Sequence, residues 1–235
     1  MIKTTFLGHL IAAFVFASLF AGCGSSAVKK SSVSSVDDKE AAQVQHSFAP
    51  LKLQVEAPET WRLAATEFNN QVIELGASAV DSGNKMIDQM LAQSVNRTVV
   101  VFTLTEYEIG SPVEENPMLM SMIEDITLAP GVKTGCDYLF HMKQNLALAN
   151  PAMEIVSDCQ ELEINGKTFG VIDTQFPVGR QLVKQNYFVS VCNSYSLAFV
   201  ATYLSDQAKA ELAEIVKSTS YQCDAPRPSS SASST

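Results

Sequence analysis

Between residues 48 and 223 the hydrophobic and polar positions fall into two regimes. In the first, LKLQVEAP (51–58) alternates and ends in proline, the period of a half-buried strand. Trp61, Ala65, Phe68, Val72, Leu75 and Ala79 then recur every three or four residues, which predicts an amphipathic helix. DSGN (81–84) breaks that pattern before a second helical stretch carrying Met86, Met90 and Leu91. The apolar run in 98–107 predicts a strand covered on both faces. Residues 118–128 fit another strand. Its alternating Met118, Met120 and Met122 suit core packing better than a soft-metal site, which would gather His or Cys nearby. Pro130-Gly131 marks a turn. Thr134 with Asp137 three residues on predicts a helix N-cap, and the helix should run to Asn150-Pro151.

After Pro151 the period changes to that of strands. Residues 153–164, 167–176, 182–192 and 195–203 are strand-like, separated by Asn165-Gly166, residues 177–180 and Asn193-Ser194. Asn-Gly is a strong hairpin signal, and three short connections in a row predict an antiparallel meander. Ser205 should cap a closing helix with Ala208, Leu212, Ile215 and Val216 on its buried stripe. Helices on either side of a mostly antiparallel sheet make an α+β protein, a three-layer α/β/α sandwich.

The ends of the chain read differently. One lysine, Lys3, precedes a run without formal charge from Thr4 to Gly22, which is long enough to span a bilayer. The run ends in small residues before a lone cysteine, and a serine-rich stretch follows, as after a processing site. Lys29 and Lys30 leave an uncleaved anchor as the alternative. Phe20-Ala21-Gly22-Cys23 resembles the lipobox of bacterial lipoprotein signal peptides, with Phe20 where Leu is usual. That resemblance implies cleavage before Cys23, a diacylglyceryl thioether on its sulfur and an acylated new N-terminus. The multiple acyl chains would hold the protein durably in a bilayer. Gly24 follows, with no Asp there to signal inner-membrane retention. In a cell with two membranes this implies an outer-membrane address facing the periplasm. The expected organisation is a signal peptide (1–22), a lipidated cysteine and flexible tether (23–47), one domain (48–223) and a low-complexity tail (224–235).

Composition adds exclusions. The chain carries 16 basic and 25 acidic residues, a net charge of −9, which argues against nucleic acid as a partner. Of the motifs that carry chemistry, S-x-x-K, S-x-N and K-T-G occur at Ser82–Lys85, Ser94–Asn96 and Lys133–Gly135, in penicillin-binding-protein order. The first two lie too close together to admit an intervening helical domain, so they read as coincidence. His9 falls in the leader, His46 in the tether and His141 on a helix, with no H-E-x-x-H, Walker loop or G-x-S-x-G beside them. Acid pairs at Glu114-Glu115, Glu124-Asp125 and Glu161/Glu163 read as solvated faces. No catalytic residues, metal ligands or cofactor are expected.

With Cys23 assigned to lipid, four cysteines remain, and an even number in an exported chain predicts disulfides. Cys136 lies about 20 Å from the end of its helix. Cys159 lies some 26 Å along the returning strand, so the two come level. The closing helix returns Cys223 to the end of the domain that holds Cys192. The expected pairs are Cys136–Cys159 and Cys192–Cys223. Four buried free thiols are the alternative.

The order of elements resembles the PsbP-like (DcrB-like) sandwich: a strand, Pro58-x-x-Trp61, helices, the VVVF strand, Asn116-Pro117, APGVKTGCDYLF, a meander with Asn165-Gly166 and a closing helix. The family implies a non-enzymatic role, docking to protein partners or assisting assembly. The expected function is therefore a membrane-anchored envelope lipoprotein, held to the bilayer through acylated Cys23, that binds an envelope protein. A small-molecule-binding lipoprotein or an unrecognised hydrolase is the second expectation, with polar groups converging near His141, Asp137 or Arg180.

Overall fold

The computed structural model describes residues 43–78, 89 and 92–223. The leader with Cys23, the tether to residue 42, the 81–84 break, Met86, Met90, Leu91 and the tail lie outside the described residues.

The main sheet is antiparallel throughout and runs in the order β3 (Arg62–Leu63), β4 (Thr98–Thr105), β5 (Met118–Asp125), β10 (Tyr195–Tyr203), β9 (Gln181–Cys192), β8 (Lys167–Val178) and β6 (Glu154–Ile155). β7 (Gln160–Ile164) also pairs with β8. β7 to β10 are the expected meander, and Asn165 and Gly166 both adopt positive φ in its first turn. One face is covered by α1 (Thr66–Ser78) against β4, and by α2 (Gly135–Ala149) against β8 and β9. This side encloses Val72, Met120, Met122, Leu139, Met142, Ile172 and Val189. The opposite face receives α3 (Asp206–Lys217) and a separate hairpin of β1 (Gln43–Phe48) and β2 (Leu53–Pro58), which enclose Leu53, Val55, Phe102, Phe169, Phe199 and Leu212. Helices on both faces of an antiparallel sheet make the molecule an α+β sandwich.

Three boundaries and the burial of one acid differ from the sequence reading. Residues 43–47, expected in the tether, belong to β1. Val44, His46 and Phe48 alternate there, and the segment pairs with β2 through a short 3-10 turn at Pro50–Lys52. The first helix begins at Thr66. Trp61 lies in the turn that its own amide closes on the Pro58 carbonyl, and it is buried in the second core. The expected strand 153–164 splits into β6 and β7. Glu124, read as a solvated acid, is 5% exposed.

Candidate functional site

β8, β9 and β10 lie side by side in strict register, so residues directly opposite share a face. Asp173 faces Asn186, and Asn186 faces Ala201, forming one row across three strands. The register of β6 extends that row to Val156, whose amide bonds the Asp173 carbonyl. Val171–Phe188–Phe199 form the row on one side, and Gln175–Lys184–Tyr203 the row on the other. α3 packs over β10 and β2, leaving this face of β9 and β8 partly uncovered along its flank. There a cleft of about 220 Å³ opens, lined by Val171, Asp173, Asn186, Phe188, Ala201, Lys209 and Ala213.

The polar groups of the cleft are linked. Asn186 Nδ2 donates to Asp173 Oδ1. Burial, with the Asp173 and Asp206 carboxylates adding to it, pushes the Tyr203 hydroxyl up to about 12, so it stays a neutral phenol. Lys209 Nζ lies 5.9 Å from the centre of the Tyr203 ring, within cation–π range. Lys184 pairs with Asp206 at 3.4 Å at the start of α3. Among the described residues the ion pairs are this one, Lys143–Asp158 and Lys217–Glu214. Asp173 and Lys209 therefore line the same cleft without closing on each other. Around it stand exposed apolar side chains. Val156 is 54% exposed and Leu182 46%, while Leu162, opposite Phe169, is 41% exposed. All three project from the face that carries the cleft. Leu182 does so because its neighbour Val183 turns into the other core.

The groups proposed from sequence around His141 do not converge. Asp137 is committed to the N-terminus of α2. Its carboxylate accepts from the Lys133 and Thr134 amides, while Thr134 Oγ1 accepts from the Asp137 amide, a reciprocal capping box. Those bonds, the Lys133 amide foremost, hold Asp137 below the ordinary carboxylate range. His141 is half-buried one turn on, its ring edge-to-face with Phe140 at 5.3 Å. Arg180 is exposed in the β8–β9 turn. The first turn of α2 sits on Gly170, nine residues back along β8 from Gly179, so Arg180 lies roughly 30 Å away.

The penicillin-binding-protein lookalikes also have structural duties. Thr134 caps α2, and Ser94 Oγ donates to Glu124 Oε1 at 2.5 Å. Tyr138 on α2 donates to Glu124 Oε2 at 2.6 Å. Burial dominates at Glu124 and raises its pKa, against the opposing pull of the two hydroxyl donors and Arg97. Glu115, also read as solvated, instead accepts from the Leu204 and Ser205 amides ahead of α3. Cys136 is joined to Cys159, with Cα atoms 5.7 Å apart, and Cys192 to Cys223, with Cα atoms 5.3 Å apart. Among the described residues no three His, Cys, Asp or Glu gather as a metal site would, and no helix is long and apolar enough to cross a membrane.

No family model matches the chain, and no curated protein matches it. Among solved structures, it is similar to cyanobacterial PsbP (CyanoP) from Synechocystis sp. PCC 6803, with TM-score 0.49 and 13% identity over 80% of this chain and 98% of that one. It is also similar to a protein of Bacteroides thetaiotaomicron VPI-5482, with TM-score 0.37 and 9% identity over 72% of this chain and 45% of that one. A third similar structure is LpqN, involved in cell envelope biogenesis of Mycobacterium tuberculosis, with TM-score 0.39 and 13% identity over 73% and 83%.

Proposed function

We propose that this protein is a lipid-anchored, non-enzymatic module of the bacterial cell envelope that binds a protein partner through the uncovered face of β8 and β9. The observation that carries this reading is the placement of Val156, Leu162 and Leu182, all exposed, around a polar row on that one face. Apolar side chains gathered around a few fixed polar groups are the anatomy of a protein interface. β8 and β9, which form the face between them, are each paired on both sides, so little backbone entropy would be lost there on docking.

The address follows from sequence. Acylation of Cys23 would fix the chain to the bilayer, and in a cell with two membranes the outer membrane facing the periplasm is the proposed location. A polar segment of the length between Cys23 and β1 would keep the domain within about 25 Å of the bilayer surface if it behaves as a flexible chain. That reach suits an integral membrane complex or a periplasmic protein.

In-cell crosslinking followed by mass spectrometry tests the reading. The wild-type chain is expected to trap one reproducible envelope protein, and both Cys23→Ala and the pair Leu162→Glu/Leu182→Glu should abolish the adduct. If the partner persists in the Leu162→Glu/Leu182→Glu chain, the assignment of the face is wrong.

A further inference from the structure

The cleft beside α3 holds two unlike charges that the fold keeps apart. Asp173 is half-buried on β8, steadied by Asn186, itself 4% exposed. Lys209 reaches in from the second turn of α3, and its ammonium rests over the Tyr203 ring instead of on a carboxylate. Between them the floor is apolar: Val171, Phe188, Ala201 and Ala213. Asp206, the other nearby acid on α3, is already taken by Lys184. A neutral phenol at Tyr203 leaves the anion at Asp173 and the cation at Lys209 as the two charges lining the cavity. Its volume of about 220 Å³ is below the ~300–1,000 Å³ of sites for drug-sized ligands.

We propose that this cleft binds a small zwitterion with an apolar body, a free α-amino acid of the size of L-leucine, with its ammonium on Asp173, its carboxylate on Lys209 and its side chain against Phe188 and Val171. A ligand carrying both charges satisfies both walls at once. An anion alone would meet the repulsion of Asp173, and a cation alone that of Lys209. The site is separate from the apolar rim, since a bound amino acid fills the space between β8 and α3 and leaves Leu162 and Leu182 exposed. It does not depend on the identity of the protein partner.

Isothermal titration of L-leucine into the full chain tests the assignment. One saturable site is expected, with a dissociation constant of about 1 mM or tighter. N-acetyl-L-leucine, which lacks the ammonium, and L-leucinamide, which lacks the carboxylate, should each bind at least about tenfold more weakly. Asp173→Asn and Lys209→Met should weaken L-leucine to a similar degree while leaving the thermal midpoint in place. Absence of saturable binding up to about 10 mM L-leucine overturns the proposal. So does binding of either one-charge derivative as tightly as L-leucine itself, a result that needs no variant to fold.

Discussion

Gly135 and Gly170 meet backbone to backbone: a Cβ on Gly135 would lie 2.5 Å from the Gly170 nitrogen, and one on Gly170 would lie 2.5 Å from the Cys136 nitrogen. The first turn of α2 therefore rests directly on β8, and its capping box, its disulfide and this contact all act within four residues. No side chain there can swing aside to admit a methyl group. Gly170→Ala should cost about 3 kcal/mol, at the upper end for overpacking, because backbone must move. Gly131→Ala, where a Cβ meets nothing within 4 Å, should change stability by no more than about 0.5 kcal/mol. Urea midpoints of the two variants check the contrast.

The two disulfides close loops of 23 and 31 residues in sequence separation. In the chain-entropy treatment each is worth ~3 kcal/mol, through restriction of the unfolded chain. Cys136→Ser/Cys159→Ser and Cys192→Ser/Cys223→Ser should each lower unfolding stability by that order. Peptide mapping without reductant should recover the two crosslinked pairs and no others from wild-type protein.

Glu124 gives the fold a pH dependence of definite sign. Burial raises its folded-state pKa above the ordinary 4.5, so the folded protein holds this proton more tightly than the unfolded chain does. The stability it contributes is complete below the ordinary value and is lost as pH rises through the folded value. Glu124→Gln keeps a group able to hydrogen-bond Ser94 and Tyr138 without a buried charge. The variant should be more stable than wild type at pH 8, with the advantage shrinking at pH 5. Denaturation midpoints at the two pH values measure it, and an advantage that grows on acidification would refute the assignment.

Much of the sandwich was legible because its elements follow single-period rules. The meander is written in Asn165-Gly166 and the runs on either side of it, and α2 in Thr134, Asp137 and Asn150-Pro151. β1 was hidden because Val44, His46 and Phe48 alternate inside a polar stretch, and only pairing with β2 gives them a face. Glu124 carried a readable signal. It continues the alternation of Met118, Met120 and Met122, which places it on the same α2-facing side of β5. Its pairing in sequence with Asp125 masked that. The cleft was not legible at all. Asp173, Asn186 and Lys209 sit on three different elements, and strand register together with the lie of α3 makes them neighbours.

The proposed docking face has a natural control on the other layer of the molecule. Phe140 on α2 is 64% exposed, more than any other large hydrophobic side chain among the described residues. An aromatic that open is the obvious rival anchor, yet it stands on the covered side of the sheet, away from Leu162 and Leu182.

Site-specific photo-crosslinking in cells, with the reactive side chain placed at position 182 or at position 140, decides between them. Docking through the β8–β9 face predicts a covalent adduct from position 182 with one discrete envelope protein, lost in the Cys23→Ala chain, and no such adduct from position 140. The same adduct from position 140 with none from position 182 would contradict it.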